Sequence, residues 1–287
     1  MPPLISRRRF LKVAATGVLG LGLPAIGASA YVTRVEPYLL DITRLTLPLP
    51  GLDPAFHGFT IVQASDWHLG AWMRPERMRE IVGAINALQP DLIALTGDFV
   101  SRLEPDTARV LHHLLRALRA REGVAATLGN HDHWTAPAAV YGAIIGAGHR
   151  CLANAALAVR RGGAALYVAG VDDIWEGQHD LARALDGIPD GAPTILLAHE
   201  PDYADEVALT GRVSLQLSGH SHGGQVRLPG RGALILPRLG RRYDQGLYDV
   251  GGMALYVNRG VGMVAPYVRF NCPPEITHFT LASPDLI

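Results

Sequence analysis

The sequence predicts an α/β fold of two packed, mixed β-sheets flanked by helices. Three observations predict it. Strand-like apolar runs alternate with helix-like stretches from Phe59 to Ala147, the βαβαβα order of a layered fold with mainly parallel strands. From Gln225 onward only strand and turn patterns remain, which calls for a second sheet packed on the first. Hydrophobic residues are 48% of the 287 and charged residues 18%, enough to fill a large core.

The first 30 residues are set aside from the fold. Ser6-Arg7-Arg8-Arg9-Phe10-Leu11-Lys12 resembles a twin-arginine export signal, Val13–Gly27 is mildly apolar, and Ala28-Ser29-Ala30 offers small residues to a signal peptidase. Pro24 and the shortness of the run argue against a permanent span, with an uncleaved anchor as the alternative. The expected division is a signal peptide over 1–30 and one folded domain over 31–287. The twin-arginine export machinery would deliver the domain to the periplasm or the outer face of the cytoplasmic membrane.

Tyr31 to Pro50 reads as an extended lead-in strand in which Leu45 and Leu47 alternate with polar residues. Phe59–Ser65 is the next strand. Pro75-Glu76 opens a helix whose apolar stripe is Met78, Ile81, Val82, Ile85 and Leu88, and Gln89-Pro90 ends it. Strand Leu92–Thr96, helix Asp106–Arg121, strand Val124–Leu128 and a helix over Pro137–Ala147 follow. Ala155–Arg160 and Ala164–Gly170 form a hairpin about Gly162-Gly163. A short helix around His179–Leu185, strand Thr194–Ala198, helix Tyr203–Leu209 and strand Val213–Ser218 come next. The remaining strands are Gln225–Arg227, Ala233–Leu236, Gly246–Val250, Met253–Asn258 and Ile276–Leu281.

Charge excludes one class of partner. The four basic residues of the leader, taken from 26 basic residues, leave 22 against 26 acidic ones, a net of −4. A chain of that sign is poorly suited to nucleic acid, whose non-specific binding rests on counterion release by basic surface. Export would allow Cys151 and Cys272 to pair, but two distant cysteines make no disulfide framework and have no metal-ligand spacing.

Five polar runs stand at the ends of five strand-like runs: Asp66-Trp67-His68, Gly97-Asp98, Gly129-Asn130-His131-Asp132, His199 and Gly219-His220-Ser221-His222. Ligands of α/β sheets bind beyond the carboxyl ends of the strands, so these runs converge on one edge. Asp66 and His68 are two apart on extended chain and can share a face. Asp98 has two oxygens, Asn130 a neutral carbonyl oxygen, and His199, His220 and His222 add three imidazoles. Seven candidate ligands (Asp66, His68, Asp98, Asn130, His199, His220 and His222) exceed one tetrahedral site and suit two ions. His57, His112, His113, His133, His149, His179 and His278 have no such context, although His133 adjoins the third run. Trp67 and Trp134 flank ligands as packing residues, with stacking on a substrate ring as the alternative.

The order and spacing of all five runs resemble the calcineurin-like metallophosphoesterase superfamily, from about Phe59 to the C-terminus. Gly223-Gly224-Gln225 after the last run, Leu197-Ala198-His199-Glu200-Pro201-Asp202, Tyr256-Val257-Asn258-Arg259-Gly260 and Cys272-Pro273-Pro274-Glu275-Ile276 resemble its exported and membrane-associated branch. The resemblance implies a four-layer α/β/β/α sandwich and two divalent metal ions, with Mn, Fe, Zn and Co all compatible with mixed His, Asp and Asn ligation. It implies that Asp66, His68 and His222 hold one ion, that Asn130, His199 and His220 hold the other, and that Asp98 and a water bridge them. It implies a catalytic role for His131, acting on the leaving oxygen, with Asp132 orienting it.

The expected function is hydrolysis of a phosphodiester, phosphomonoester or pyrophosphate bond. The alternatives are a metal-dependent amidase or peptidase, and a non-catalytic binding module on the same fold. Arg227, Arg231, Arg238, Arg241 and Arg242 lie between Gln225 and Tyr243 with no acid among them, interleaved with leucines, Ile235 and prolines. Following His222, they are read as a lip that either is an ordinary solvated hairpin or meets an anionic substrate. On the second reading, Arg227, Arg238, Arg241 and Arg242 bind a phosphorylated small molecule or a lipid at a membrane surface. Relatives of that branch that split UDP-diacylglucosamine supply the precedent.

Overall fold

Strands that read as unbroken apolar runs are buried on both faces. The computed structural model describes residues 27–70, 72–102 and 104–286. The twin-arginine run lies outside them. The strands are β1 (Asp41–Pro48), β2 (Thr60–Ala64), β3 (Leu92–Thr96), β4 (Val124–Thr127), β5 (Arg150–Cys151), β6 (Ala155–Arg161), β7 (Ala164–Gly170), β8 (Thr194–Leu197) and β9 (Leu215–Ser218). They continue with β10 (Arg227–Leu228), β11 (Gly232–Ala233), β12 (Gly246–Val250), β13 (Met253–Val257) and β14 (Glu275–Ala282). One six-stranded sheet has the order β1-β14-β2-β3-β4-β5 and the other β12-β13-β9-β8-β7-β6, while β10 and β11 form a separate ribbon.

Alternation along the strands assigns each side chain to a layer. In β2, Ile61 faces the space between the sheets and Val62 faces the helices; in β3, Leu92 and Ala94 face inward while Ile93 and Leu95 face outward. The central layer joins Ile61, Phe279 and Leu281 of the first sheet to Leu166, Ile195, Leu215 and Leu217 of the second. Helices α1 (Pro75–Ala87), α2 (Thr107–Leu115) and, after α3 (Asn130–Thr135), α4 (Pro137–Gly146) cover the first sheet. The expected stripe of α1 is the buried one: Met78, Ile81, Val82 and Ile85. Beyond α5 (Leu181–Ala184), helix α6 (Ala204–Ala208) packs Ala204 and Val207 on the second sheet against Leu196 and Leu255. This is the expected α/β/β/α sandwich.

Three expectations about elements need correction. The C-terminal strand does not extend the second sheet. β14 inserts into the first, parallel to β1 and antiparallel to β2, and Phe279 pairs with both Leu45 and Ile61. The lead-in is helical turns over Tyr31–Tyr38 before β1 begins at Asp41. The second helix stops at Leu115 rather than Arg121, because Asn86 of α1 captures the next turn: its side chain donates to Ala117 O at 2.8 Å and accepts from Arg119 N at 2.9 Å. The β6–β7 hairpin is as expected, with Gly162 and Gly163 both at positive φ (55° and 88°), as a two-residue hairpin turn demands. Cys151 and Cys272 are free thiols. Among the described residues no helix is long and apolar enough to cross a membrane.

Candidate metal centre

The parallel strands β2, β3 and β4 of one sheet and β8 and β9 of the other end at the same edge, and all five polar runs lie there. Backbone bonds tie their loops together: Asp66 N donates to Gly97 O at 3.0 Å, His68 N to Asp98 O at 3.0 Å and Gly219 N to His199 O at 3.0 Å. Space between them is minimal. A Cβ on Gly97 would stand 2.6 Å from His199 Nδ1, and its φ of +87° already excludes most residues.

Five of the seven candidate ligands have left-handed backbone: Asp66 (φ 54°), His68 (53°), Asp98 (56°), His220 (68°) and His222 (51°). Such conformations cost roughly 1–3 kcal/mol each in non-glycine residues and concentrate at functional sites. All five lie in the loops that follow β2, β3 and β9.

The side chains form two groups joined by one carboxylate. In the first, His222 Nε2 lies 3.3 Å from Asp66 Oδ1 and 3.1 Å from His68 Nε2. In the second, His220 Nδ1 lies 3.0 Å from Asn130 Oδ1, beside His199. Asp98 stands between them: its Oδ2 is 3.5 Å from His68 Nε2 and 3.2 Å from His199 Nε2. Nitrogens and oxygens bound to one ion at about 2.0–2.2 Å are separated by roughly this much. All seven are buried.

Outer partners fix which ring nitrogen faces the centre. His199 Nδ1 donates to Thr96 O at 2.7 Å and His220 Nε2 to Arg238 O at 2.7 Å. His68 Nδ1 pairs with Ser101 Oγ at 2.8 Å. Each leaves the other nitrogen for a ligand, the arrangement typical of metal-bound histidine. Ser101, Thr96 and the Arg238 carbonyl were not legible as site residues; only Ser101, three residues past Asp98, offered a polar group near a motif.

The donor set fits divalent cations. His220 Nδ1 and Asn130 Oδ1 are two acceptors facing each other at 3.0 Å, a contact that needs a positive species between them. Burial pushes His220 down to about 3, so a proton is not the natural occupant. Burial likewise pushes His68 down to about 3 and Asp66 up to about 7. At His199 burial also opposes charge, but the Asp98 carboxylate outweighs it and holds the ring well above the usual histidine range. His199 Nε2 is buried with no hydrogen-bond partner.

His131 lies beside the ligands rather than among their closest contacts. Its N–H donates to Asp98 Oδ1 at 2.9 Å, and its ring stands edge-on to His68 with centroids 4.7 Å apart. The Asp132 carboxylate, expected to orient His131, binds backbone N–H groups instead. Its Oδ1 accepts from Phe99 N at 2.8 Å and Val100 N at 3.1 Å, and its Oδ2 accepts from Gly129 N at 3.0 Å. It caps α3 and braces the chain that follows Asp98.

His133 is drawn away by Asp172 at 2.8 Å, and Trp134 donates to Glu176 at 2.7 Å while its ring packs on His131. Trp67 is buried in the core. Acids from outside the arginine run take up two of its members. Arg227 Nη1 pairs with Asp244 and Arg242 Nη1 with Asp205, each at 2.6 Å. Arg238 lies over the Trp175 ring at 5.5 Å, and Arg241 is exposed.

Comparisons agree with this geometry. The calcineurin-like phosphoesterase family matches residues 59–224, from the entry to β2 through the last ligand loop. The chain is 39% identical to the uncharacterized metallophosphoesterase YkuE of Bacillus subtilis, over 97% of this chain and 98% of that protein. It is 30% identical to the phosphodiesterase YaeI of Escherichia coli, over 97% and 100%. It is 29% identical to the UDP-2,3-diacylglucosamine pyrophosphatase LpxG of Chlamydia trachomatis, over 93% and 97%.

Proposed function

This chain belongs to the calcineurin-like phosphoesterase family and is a hydrolase of phosphoric esters, and from that premise we propose that it works with two divalent ions held side by side. Asp66, His68 and His222 hold one; Asn130, His199 and His220 hold the other; Asp98 is shared. The position of Asp98 Oδ2, within 3.5 Å of ligand nitrogens from both groups, carries this reading. Held by these residues, two cations would supply an acidified water near neutral pH and would offset charge on the phosphoryl oxygens.

The chain's own groups do the rest. Thr96, Ser101 and the Arg238 carbonyl hold three imidazoles in the ligating tautomer. Asp132 keeps Asp98 and Asn130 in register by binding the backbone on both sides. His131, beside both groups and lining the cleft, gives a proton to the leaving oxygen. The test is reconstitution with Mn, Fe, Zn or Co followed by assay on bis-p-nitrophenyl phosphate and on a p-nitroanilide. Turnover of the amide alone would establish the amidase alternative. Metal uptake without turnover of either would establish the binding module.

The finer reading is export and an envelope substrate. Arg7-Arg8 supports twin-arginine export, and replacing them by Lys-Lys should leave the protein in the cytoplasmic fraction. Similarity to a pyrophosphatase named for a diacylated nucleotide sugar supports a lipid or glycolipid substrate. Of the four arginines expected to bind substrate, Arg227 and Arg242 are ion-paired, which leaves Arg238 and Arg241 to meet its anionic group.

A further inference from the structure

A cleft of about 490 Å³ opens beside the ligands. Asp98, Asn130, His131, His220 and His222 line its inner end. Its side walls are carbon: Ile235, Leu236 and Pro237 from the segment after β11, opposite Val264, Pro266 and Val268. Gln225, itself on the cleft lining, occupies backbone polar groups of the second wall. Gln225 donates through Nε2 to Val264 O and Pro266 O at 3.1 Å each and accepts from Val264 N at 2.8 Å. Phe270 N bonds Gln225 O at 2.9 Å, and Leu234 N bonds Val226 O at 3.1 Å, so the walls are held as one unit. Arg227, two residues past Gln225, is paired with Asp244. Ile235 is 79% exposed and Leu234 49%, unusual for adjacent large apolar side chains with no charged neighbour between them.

A site for small polar phosphoesters has no use for such walls. We propose that this cleft is a hydrocarbon subsite: it takes the alkyl or acyl part of an amphiphilic phosphoester whose phosphate sits on the Asp98–His131–His222 end. The proposal rests on the phosphoesterase reading and adds where the apolar part of the substrate lies. Hydrocarbon entering the cleft leaves water for side walls made largely of carbon. Each methylene buried therefore adds affinity of the size of a full transfer, about threefold to fourfold in Kd. Arg238, held over Trp175, borders the mouth where a head group would emerge.

The test is binding of n-alkylphosphonates, methyl to octyl, to the protein as purified, followed by fluorescence of Trp134 and Trp175, which line the cleft. Their C–P bonds resist hydrolysis, so the readout does not depend on turnover. Kd should fall about threefold per methylene from butyl to octyl. In Ile235→Asp, at an exposed position that tolerates a charge, and in Leu236→Ser, the dependence should flatten. A flat series in the natural protein overturns the proposal, and so does a steep series that both variants leave unchanged. Displacement of octylphosphonate by phosphatidylglycerol vesicles assigns a bilayer source. Displacement only by monomeric dihexanoyl phosphatidylglycerol assigns a soluble one, and displacement by neither overturns the proposal. If alkyl dependence holds while bis-p-nitrophenyl phosphate is untouched, the phosphoesterase reading fails and the subsite stands.

Discussion

Asp98, at the end of β3 in one sheet, brings its Oδ2 to 3.2 Å from Nε2 of His199, at the end of β8 in the other. The two sheets meet at this contact, and His68 Nε2 lies 3.5 Å from the same oxygen, so Asp98 touches imidazoles of both groups. The central layer packs the sheets rigidly enough to hold that separation, because Leu92 and Ala94 of β3 are locked against Ile195 and Leu197 of β8.

His131→Ala should keep both ions and lose about 10²–10⁴ in rate, the usual contribution of a general acid–base group. Its backbone bond to Asp98 survives the change, so metal content measured beside kcat separates the roles. A variant that has lost metal would show His131 to be a ligand.

Asp132→Ala should destabilise the fold by about 2 kcal/mol or more. Three backbone N–H groups lose their acceptor, and each buried unsatisfied group costs about 1–3 kcal/mol. Urea denaturation reads this directly. A midpoint equal to that of the natural protein would refute the bracing role.

The five motif runs were legible because they are local: each is one to four residues at the end of an apolar strand. What was illegible depends on partners far away in sequence. Nothing near Arg227 says that Asp244 will neutralise it, and nothing in Glu275–Ala282 says that it will enter between β1 and β2. The early end of α2 is written in Asn86, in a different helix. Asp132 looked like a partner for its neighbour His131, but only the folded loop places Phe99, Val100 and Gly129 around its oxygens. The ring of positive φ angles at the ligands has no sequence signature in Asp and His.

Glu275 gives a pH test away from the metals. Burial pushes its carboxyl up, but the Arg259 guanidinium at 2.9 Å outweighs this and holds it below the usual range, with Tyr256 OH donating at 2.6 Å. A folded value below the unfolded one stabilises the protein above about pH 4.3, the ordinary value for glutamate, and the gain is lost as pH falls through the folded value. Glu275→Gln should therefore be less stable than the natural protein at pH 7, with the gap closing towards pH 3. A gap that stays constant across this range would contradict the assignment.

The central claim is a pair of ions sharing Asp98, and elemental analysis of the purified protein beside its Asp98→Ala variant tests it most directly. The account predicts two divalent ions per chain in the natural protein. In the variant it predicts loss of metal uptake and no hydrolysis of bis-p-nitrophenyl phosphate, while circular dichroism shows the fold intact. Two ions per chain retained by Asp98→Ala would contradict it.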